Sequence, residues 1–481
     1  MIGQVVSHPQ YGEGQITALY RNGSEWMVRF GSGLRFRRPR LEFEGEVENS
    51  THSSSMNQNR AMKHSMTMLN TPINTDKLNK FNPMTESQFA ARQVVEALRV
   101  GVAPAQHVEE LTIGLAEERT QLQQGLTDAH SQGGAAHVIV GDYGHGKSHI
   151  VELTAQEALN RNFLVAVTSL DLQEMPPHRC FDIYAGLMRN LRYPDTDERG
   201  LAPLLSSAAN RESIREQMRE STTVASDPLA VGLEALSTIS SVRQQKVWHE
   251  WLMGGRRVQS MYRSTPKGIK FPSIYKVGHN ARQIAYMLSG VSALAKSMGY
   301  SGLAVLIDEA ESYSLLKAYQ RPKASLFFGA MVYAALQDRQ KKISEATFPQ
   351  HRFREYPMTY EARQSLYFLF TVTRSDNQMP LDEWLMPEQI LELEPHHSAQ
   401  EMGRFLEQAM DYHAQAYGYE IGERQRQIRR GAAEHMSLGM KNRTLSIRGA
   451  VRLSIELFDL LYLYPEYETA ALLDELRATV R

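Results

Sequence analysis

A chain of 481 residues with 42% hydrophobic and 22% charged residues has enough apolar side chain for about two to four globular domains. Its formal net charge of -1 excludes a globally basic nucleic-acid binder, so any such surface must be a local patch. The single cysteine, Cys180, excludes an intrachain disulfide and a multi-cysteine metal site, and no apolar run reaches the roughly 20 residues a membrane-spanning helix needs. A soluble, cytoplasmic protein is expected.

Taken in chain order, residues 1–45 predict a small β domain. Val5-Val6, Gln15 to Tyr20 and Trp26 to Phe30 are β-prone runs, separated by turn signals at Tyr11-Gly12-Glu13-Gly14 and Arg21-Asn22-Gly23-Ser24. Residues 46–80 have no apolar period and predict a flexible linker. Phe89, Val94, Val95 and Leu98 then recur at helical spacing, and a second helix is expected over about Glu109 to Ala129. Strands are predicted at His137 to Val140, Phe163 to Thr168, Leu303 to Ile307, Leu366 to Val372 and Gln389 to Leu393, with a helix over Ser148 to Asn160. The stretch from about 171 to 285 reads as a largely helical insertion. From Ser398 onward only helices are expected: Gln400 to Gly418, Glu423 to Ser437 and Ile447 to Leu461. The fold class is α/β: a parallel-sheet core over 81–397 and a helical C-terminal lid over 398–481, preceded by the small β domain.

The chemistry concentrates in two places. Gly141-Asp142-Tyr143-Gly144-His145-Gly146-Lys147-Ser148 fits Gly-x-x-x-x-Gly-Lys-Ser between a predicted strand and helix, the pattern of a phosphate-binding loop. Glycines let backbone N–H groups approach phosphate oxygens, and the helix N-terminus adds positive potential. Lys147 is expected at the β- and γ-phosphates of ATP, Ser148 on Mg²⁺, and His149 follows as part of the same cradle. The second place is the apolar run Leu303 to Ile307, which ends in Asp308 and Glu309. Asp308 is expected to hold the Mg²⁺ shell and Glu309 to orient or deprotonate the attacking water. Glu311 is assigned no catalytic part. Thr373, preferred to Thr371, is expected to sense the γ-phosphate. Arg448, with Arg443 as competitor, is expected to reach the phosphates from the lid, and Arg374 is a weaker candidate for an arginine finger.

Two basic patches stand out. No acidic residue occurs between Trp251 and Ile307, where Arg256, Arg257, Arg263, Lys267, Lys270, Lys276 and Arg282 interleave with Tyr262, Phe271 and Tyr275. Cations for phosphates and flat rings for bases are what a contact with double-stranded DNA needs; a solvated basic face or a contact with an acidic neighbouring subunit is the alternative for either patch. Arg35, Arg37, Arg38 and Arg40 cluster around Phe36, whereas the run Arg424, Arg426, Arg429 and Arg430 reads as a plain helix surface. His396-His397 and Cys180 near His178 lack the spacing of a metal site.

Glu96 to Pro104, Leu111-Thr112-Ile113-Gly114, the loop Val140 to His149, and Gly299-Tyr300-Ser301-Gly302 leading to Ile307-Asp308-Glu309-Ala310-Glu311 together resemble an AAA+ ATPase of the Orc/Cdc6-like branch. More closely they resemble the ATP-binding proteins of BREX-type phage-defence systems. The resemblance runs from about residue 85 to the end. It implies ATP and Mg²⁺ as cofactors, a homo-oligomer, other defence-system subunits as partners, and adenine contacts at Arg99 to Gly101 and Ile113-Gly114. The winged helix usual after an Orc-type lid is not expected here, so its DNA contacts are not carried over. Val6-Ser7-His8-Pro9-Gln10-Tyr11-Gly12-Glu13-Gly14-Gln15-Ile16 is similar to the Tudor-like barrel of UvrD/PcrA-type helicases, implying a contact module for RNA polymerase or a helicase. The resulting expectation is an ATPase acting as a DNA-associated motor or switch in phage defence. The alternatives are a nucleotide-dependent adaptor working through residues 1–45 and a phage-sensing signalling ATPase.

Overall fold

The computed structural model describes residues 5–8, 12–20, 25–30 and 35–39, and then 84–480 apart from 225, 256–265, 267–268, 270–273, 275–280, 340–341, 351–354, 361–363, 375–378 and 394–396. The chain divides into two compact units, Met1–Asn82 and Pro83–Arg481.

In the first unit, β1 (Val5–His8), β2 (Gly12–Tyr20), β3 (Glu25–Phe30) and β4 (Arg35–Pro39) form an antiparallel meander in the order β1-β2-β3-β4. Gly12 to Gly14, read from sequence as a turn, instead begin β2 and pair with His8, Ser7 and Val6. The arginine-rich run around Phe36, read as a patch, supplies β4. Ile16 and Val28 are buried and face one another in register across β2 and β3, as a two-residue alternation requires. Among the described residues this is a four-stranded sheet, and its closure into a barrel stays an expectation of the sequence. The predicted linker at 46–80 lies outside the described residues.

The second unit opens with α1 (Glu86–Arg99), started by a capping box in which Thr85 and Gln88 exchange side chain-to-backbone hydrogen bonds. Its buried face is Ala91, Val94, Val95 and Leu98; Phe89, expected there, is exposed. The second helix, α2 (Ala116–Gln132), starts seven residues later than expected. Gly114 and Leu115 both have left-handed backbone, which no α-helix continues through. The core then runs β5 (Gly134–Gly141), α3 (Lys147–Asn160) and β6 (Phe163–Ser169). The insertion follows as α4 (Cys180–Arg189), the short β7 (Leu191–Arg192), α5 (Ala202–Ala209), α6 (Glu212–Glu220), α7 (Pro228–Thr238) and α8 (Val242–Leu252). After it come α9 (Ala281–Ser297), β8 (Gly302–Asp308), α10 (Arg321–Leu336), β9 (Leu366–Thr373), α11 (Leu381–Trp384) and β10 (Ile390–Glu392). The chain finishes in α12 (Ala399–Tyr417), α13 (Glu423–Lys441), α14 (Ile447–Leu463) and α15 (Thr469–Thr479), the last not foreseen from sequence. No described helix is long and apolar enough to cross a membrane.

The six core strands stand in the order β10-β5-β9-β8-β6-β7, parallel except for the antiparallel edge β7. Successive residues of each strand enter opposite cores, so near-continuous apolar runs are required. Leu303, Val305 and Ile307 of β8 pack with Phe368 and Phe370 of β9 on the face covered by α4, α9 and α10. Ala304 and Leu306 face the other way, with Ile139 and Leu369, beneath α2 and α3. A third core joins α1, Leu111 and Ile113 to α12–α15. Helix α1 therefore packs with the C-terminal helices although it precedes the sheet in sequence.

Arg282, counted with the basic stretch, belongs to the interior. Its guanidinium donates to the carbonyl oxygens of Tyr356 and Phe348 and pairs with Glu345. It is 7% exposed and so is withdrawn from any nucleic-acid surface. Arg256, Arg257, Arg263, Lys267, Lys270 and Lys276 lie outside the described residues.

Candidate functional site

Strand β5 delivers the chain to Gly141, and α3 begins at Lys147. The turn between them needs left-handed backbone at Gly144 (φ 82°) and Gly146 (φ 87°), which glycine adopts without the steric cost a side chain would bring. Gly144 has a second reason to be glycine, because a Cβ there would lie 3.2 Å from Cβ of Ser446. Ser446 caps α14 by accepting from the Gly449 N–H at 3.1 Å. The N-terminal end of α14 thus meets the loop.

Strand order explains why the acids arrive beside the loop. β9 separates β5 from β8, so side chains at the C-terminal ends of three adjacent strands converge. Asp308 ends β8. Its Oδ1 accepts from the Thr371 hydroxyl at 2.6 Å and from the Glu309 N–H at 2.9 Å, which leaves its second oxygen for a ligand. Glu309 has left-handed backbone (φ 58°, ψ 33°), rare for a residue with a side chain and concentrated at functional turns. Its Oε2 accepts from Ser169 Oγ at 3.0 Å, at the end of the neighbouring β6. Lys147, 7% exposed, donates to the carbonyl oxygens of Gly141 at 3.0 Å and Asp142 at 3.3 Å, and to Thr373 Oγ1 at 3.0 Å. The structure thus brings Thr373 to the lysine and spends Thr371 on fixing Asp308.

A cavity of ≈ 470 Å³ joins these groups, with Lys147, Ser148, Asp308, Glu309 and Glu311 at one end. The rest of its lining is largely apolar, with Leu98 from α1, Val102, Pro104 and Ile113 from the segment that follows it, and Phe405 and Val451 from α12 and α14. A flat heterocycle fits such walls, and the polar end offers the hydroxyl and carboxylate oxygens that a hard divalent cation takes. Ser148 and Asp308 are the residues that would hold Mg²⁺.

Arg448 lines the cavity from the first turn of α14, with its guanidinium 5.3 Å from the Tyr143 ring centroid and 2.9 Å from the Tyr143 hydroxyl. Its competitor Arg443 is exposed in the turn before α14, and Arg374 pairs with Glu392 at 2.9 Å. Gly101 and Ile113, two of the residues for which the resemblance implies adenine contact, line the cavity, whereas Arg99 does not; it forms an ion pair with Asp459 of α14. His149 also lines the cavity, although not as a cation. Burial lowers its pKa to about 4, and its Nε2 lies 2.8 Å from Thr112 Oγ1. Thr112 in turn donates to the Val108 carbonyl, so neutral His149 braces α3 against the segment between α1 and α2. The sequence reading did not assign roles to Ser169, Glu311 or Thr112. Glu311 carried a signal in its place two residues after Glu309, and Thr112 in the segment Leu111-Thr112-Ile113-Gly114; Ser169 carried none.

Residues 87–227 match the family described as BREX system ATP-binding protein BrxC/D. The match takes in α1, the phosphate loop and the first part of the insertion, and ends before the acid pair. A Walker-type ATPase of Pyrococcus abyssi is similar at a TM-score of 0.30 and 10% identity, over 76% of this chain and 71% of that one. Comparison with curated proteins gives no match. No group of three or more His, Cys, Asp or Glu able to hold a metal ion occurs among the described residues, and His396 lies outside them.

Proposed function

We propose that the chain binds ATP with Mg²⁺ in the cavity between sheet and lid and hydrolyses it, as the ATP-driven component of a BREX-type phage-defence assembly. The supporting observation is the meeting of Lys147, Ser148, Asp308 and Glu309 in one cavity whose remaining lining is largely apolar. Lys147 neutralises charge on the β- and γ-phosphates, the loop N–H groups orient them, and Glu309 takes the proton of the attacking water. In this reading Thr373, bonded to Lys147, and Arg448, on the cavity wall, respond to the γ-phosphate. Mg²⁺, when bound, supplies further neutralisation at the phosphate oxygens.

Turnover and nucleotide binding by the purified chain test this reading. Glu309→Gln is expected to keep nucleotide affinity and lose turnover by ~10²–10⁴-fold, the usual worth of a general base; Lys147→Ala is expected to lose both. Absence of nucleotide uptake by the unaltered chain, or undiminished turnover in Glu309→Gln, would sink it. The finer reading, a DNA-associated motor or switch, rests on the acid-free stretch between Trp251 and Ile307. The same assay decides it: double-stranded DNA should raise turnover, and charge reversal at Arg256, Arg257 and Lys270 should abolish that rise. The expected homo-oligomer, with an arginine supplied to its neighbour, belongs to the same proposal.

A further inference from the structure

Glu311 is a charged group in this site to which hydrolysis gives no task. It lies in the 3-10 turn Ala310–Leu315 directly after the acid pair and lines the same cavity as Lys147 and Asp308. Its Oε1 accepts from the Thr373 hydroxyl at 2.8 Å and lies 3.7 Å from the Lys147 ammonium. Its Oε2 is shielded from solvent and has no hydrogen-bond partner among the described residues.

The direction of these bonds matters. The Thr373 hydroxyl has one proton, and with that proton turned to Glu311 its lone pair receives Lys147. The relay Lys147 to Thr373 to Glu311 therefore runs from cation to anion. Lys147 spends its other hydrogens on the carbonyl oxygens of Gly141 and Asp142. Lys147 and Thr373, two donors that a γ-phosphate would claim, are thus engaged by the protein's own acceptors, and Glu311 is the carboxylate among them.

We propose that Glu311 is the chain's own stand-in for the γ-phosphate, and that it sets the site's preference between nucleoside triphosphate and diphosphate. The inference deepens the nucleotide-site reading and rests on it. A triphosphate brings an anion that needs Lys147 and Thr373, so it must displace the Glu311 carboxylate or bind against its charge. A diphosphate lacks that anion and leaves the relay whole. Glu311 thereby weakens triphosphate binding relative to diphosphate and stabilises the arrangement that follows hydrolysis.

Calorimetric titration of the full chain with Mg²⁺ and either ADP or a non-hydrolysable ATP analogue tests this. Glu311→Gln keeps the side-chain volume and an acceptor for Thr373 while removing the charge. The ratio of ADP to analogue dissociation constants is expected to rise about tenfold, equivalent to ~1.4 kcal/mol, chiefly through tighter analogue binding. Glu311→Ala, which also removes the acceptor, should shift the ratio the same way and serves if the glutamine variant folds poorly. Nucleotide binding with an unchanged or lowered ratio overturns the role of Glu311 alone. Failure of the unaltered chain to bind either nucleotide overturns the underlying reading and this one with it.

Discussion

His137 shows how burial of one titratable group makes the fold sensitive to acid. It lies on β5 against α2, 9% exposed, with its Nδ1 3.3 Å from the Tyr367 hydroxyl. Burial lowers its pKa from 6.5 to about 4, against a smaller opposing pull from Asp128. The folded chain therefore keeps His137 neutral where the unfolded chain protonates it. Stability from this group is complete above pH 6.5 and declines as pH falls toward 4. At pH 5 the loss is about 2 kcal/mol by linkage. His149, His178 and His249 are lowered mainly by burial and add to the same slope. Urea unfolding at pH 7 and pH 5 checks this. His137→Gln, which cannot titrate, should lose about 2 kcal/mol less than the unaltered chain between the two pH values. Equal losses would show that His137 is already protonated in the folded state.

At the scale of elements, what could be read from sequence depended on whether the signal was local. Strands β5, β6, β8 and β9 are nearly continuous apolar runs, and their observed bounds lie within about three residues of expectation. The start of α2 was misplaced because the left-handed pair Gly114-Leu115 has no side-chain signature beyond one glycine. Thr371 and Thr373 share one face of β9, and only the strand order reveals that one meets Asp308 and the other Lys147. Arg282 sat in a basic run, and nothing local distinguished it from its neighbours; its partners lie 63 to 74 residues away. The clasp between α1 and α14 was equally hidden. Arg99 pairs with Asp459, which also accepts from His413 Nε2 at 3.1 Å. Burial raises the Asp459 pKa, but the bonds from His413 and Arg99 outweigh it and hold the carboxyl below its usual range. This depressed acid contributes stability above its unfolded pKa near 4 and loses it only as pH falls further, so the clasp is intact at pH 5. Asp459→Asn should cost about 1–3 kcal/mol at pH 7, reduced from the buried-pair range because both groups are partly exposed. A loss below 0.5 kcal/mol in urea unfolding would show the clasp to be dispensable.

The second unit as a whole has its cavity between cores that share few side chains. The sheet cores hold Lys147's helix and the acid strand, whereas α1, Ile113, Phe405 and Val451 belong to the core formed with the C-terminal helices. A nucleotide in this cavity would touch both sides, its base against the lid-side apolar wall and its phosphates against the sheet edge. Ligand binding then couples packing units that otherwise hold together through limited contacts such as the loop of Gly144 and Ser446. Scanning calorimetry should accordingly show a broad or stepped transition for the nucleotide-free chain. A non-hydrolysable triphosphate with Mg²⁺ should raise it and sharpen it toward a single step. At one hundred times the dissociation constant the gain is about 2.7 kcal/mol. For a unit of this size that is roughly 3–5 °C, extrapolating the fall in midpoint shift with chain length. Lys147→Ala should retain the stepped transition and lose the shift. A rise confined to one step would mean that the nucleotide engages only the sheet edge.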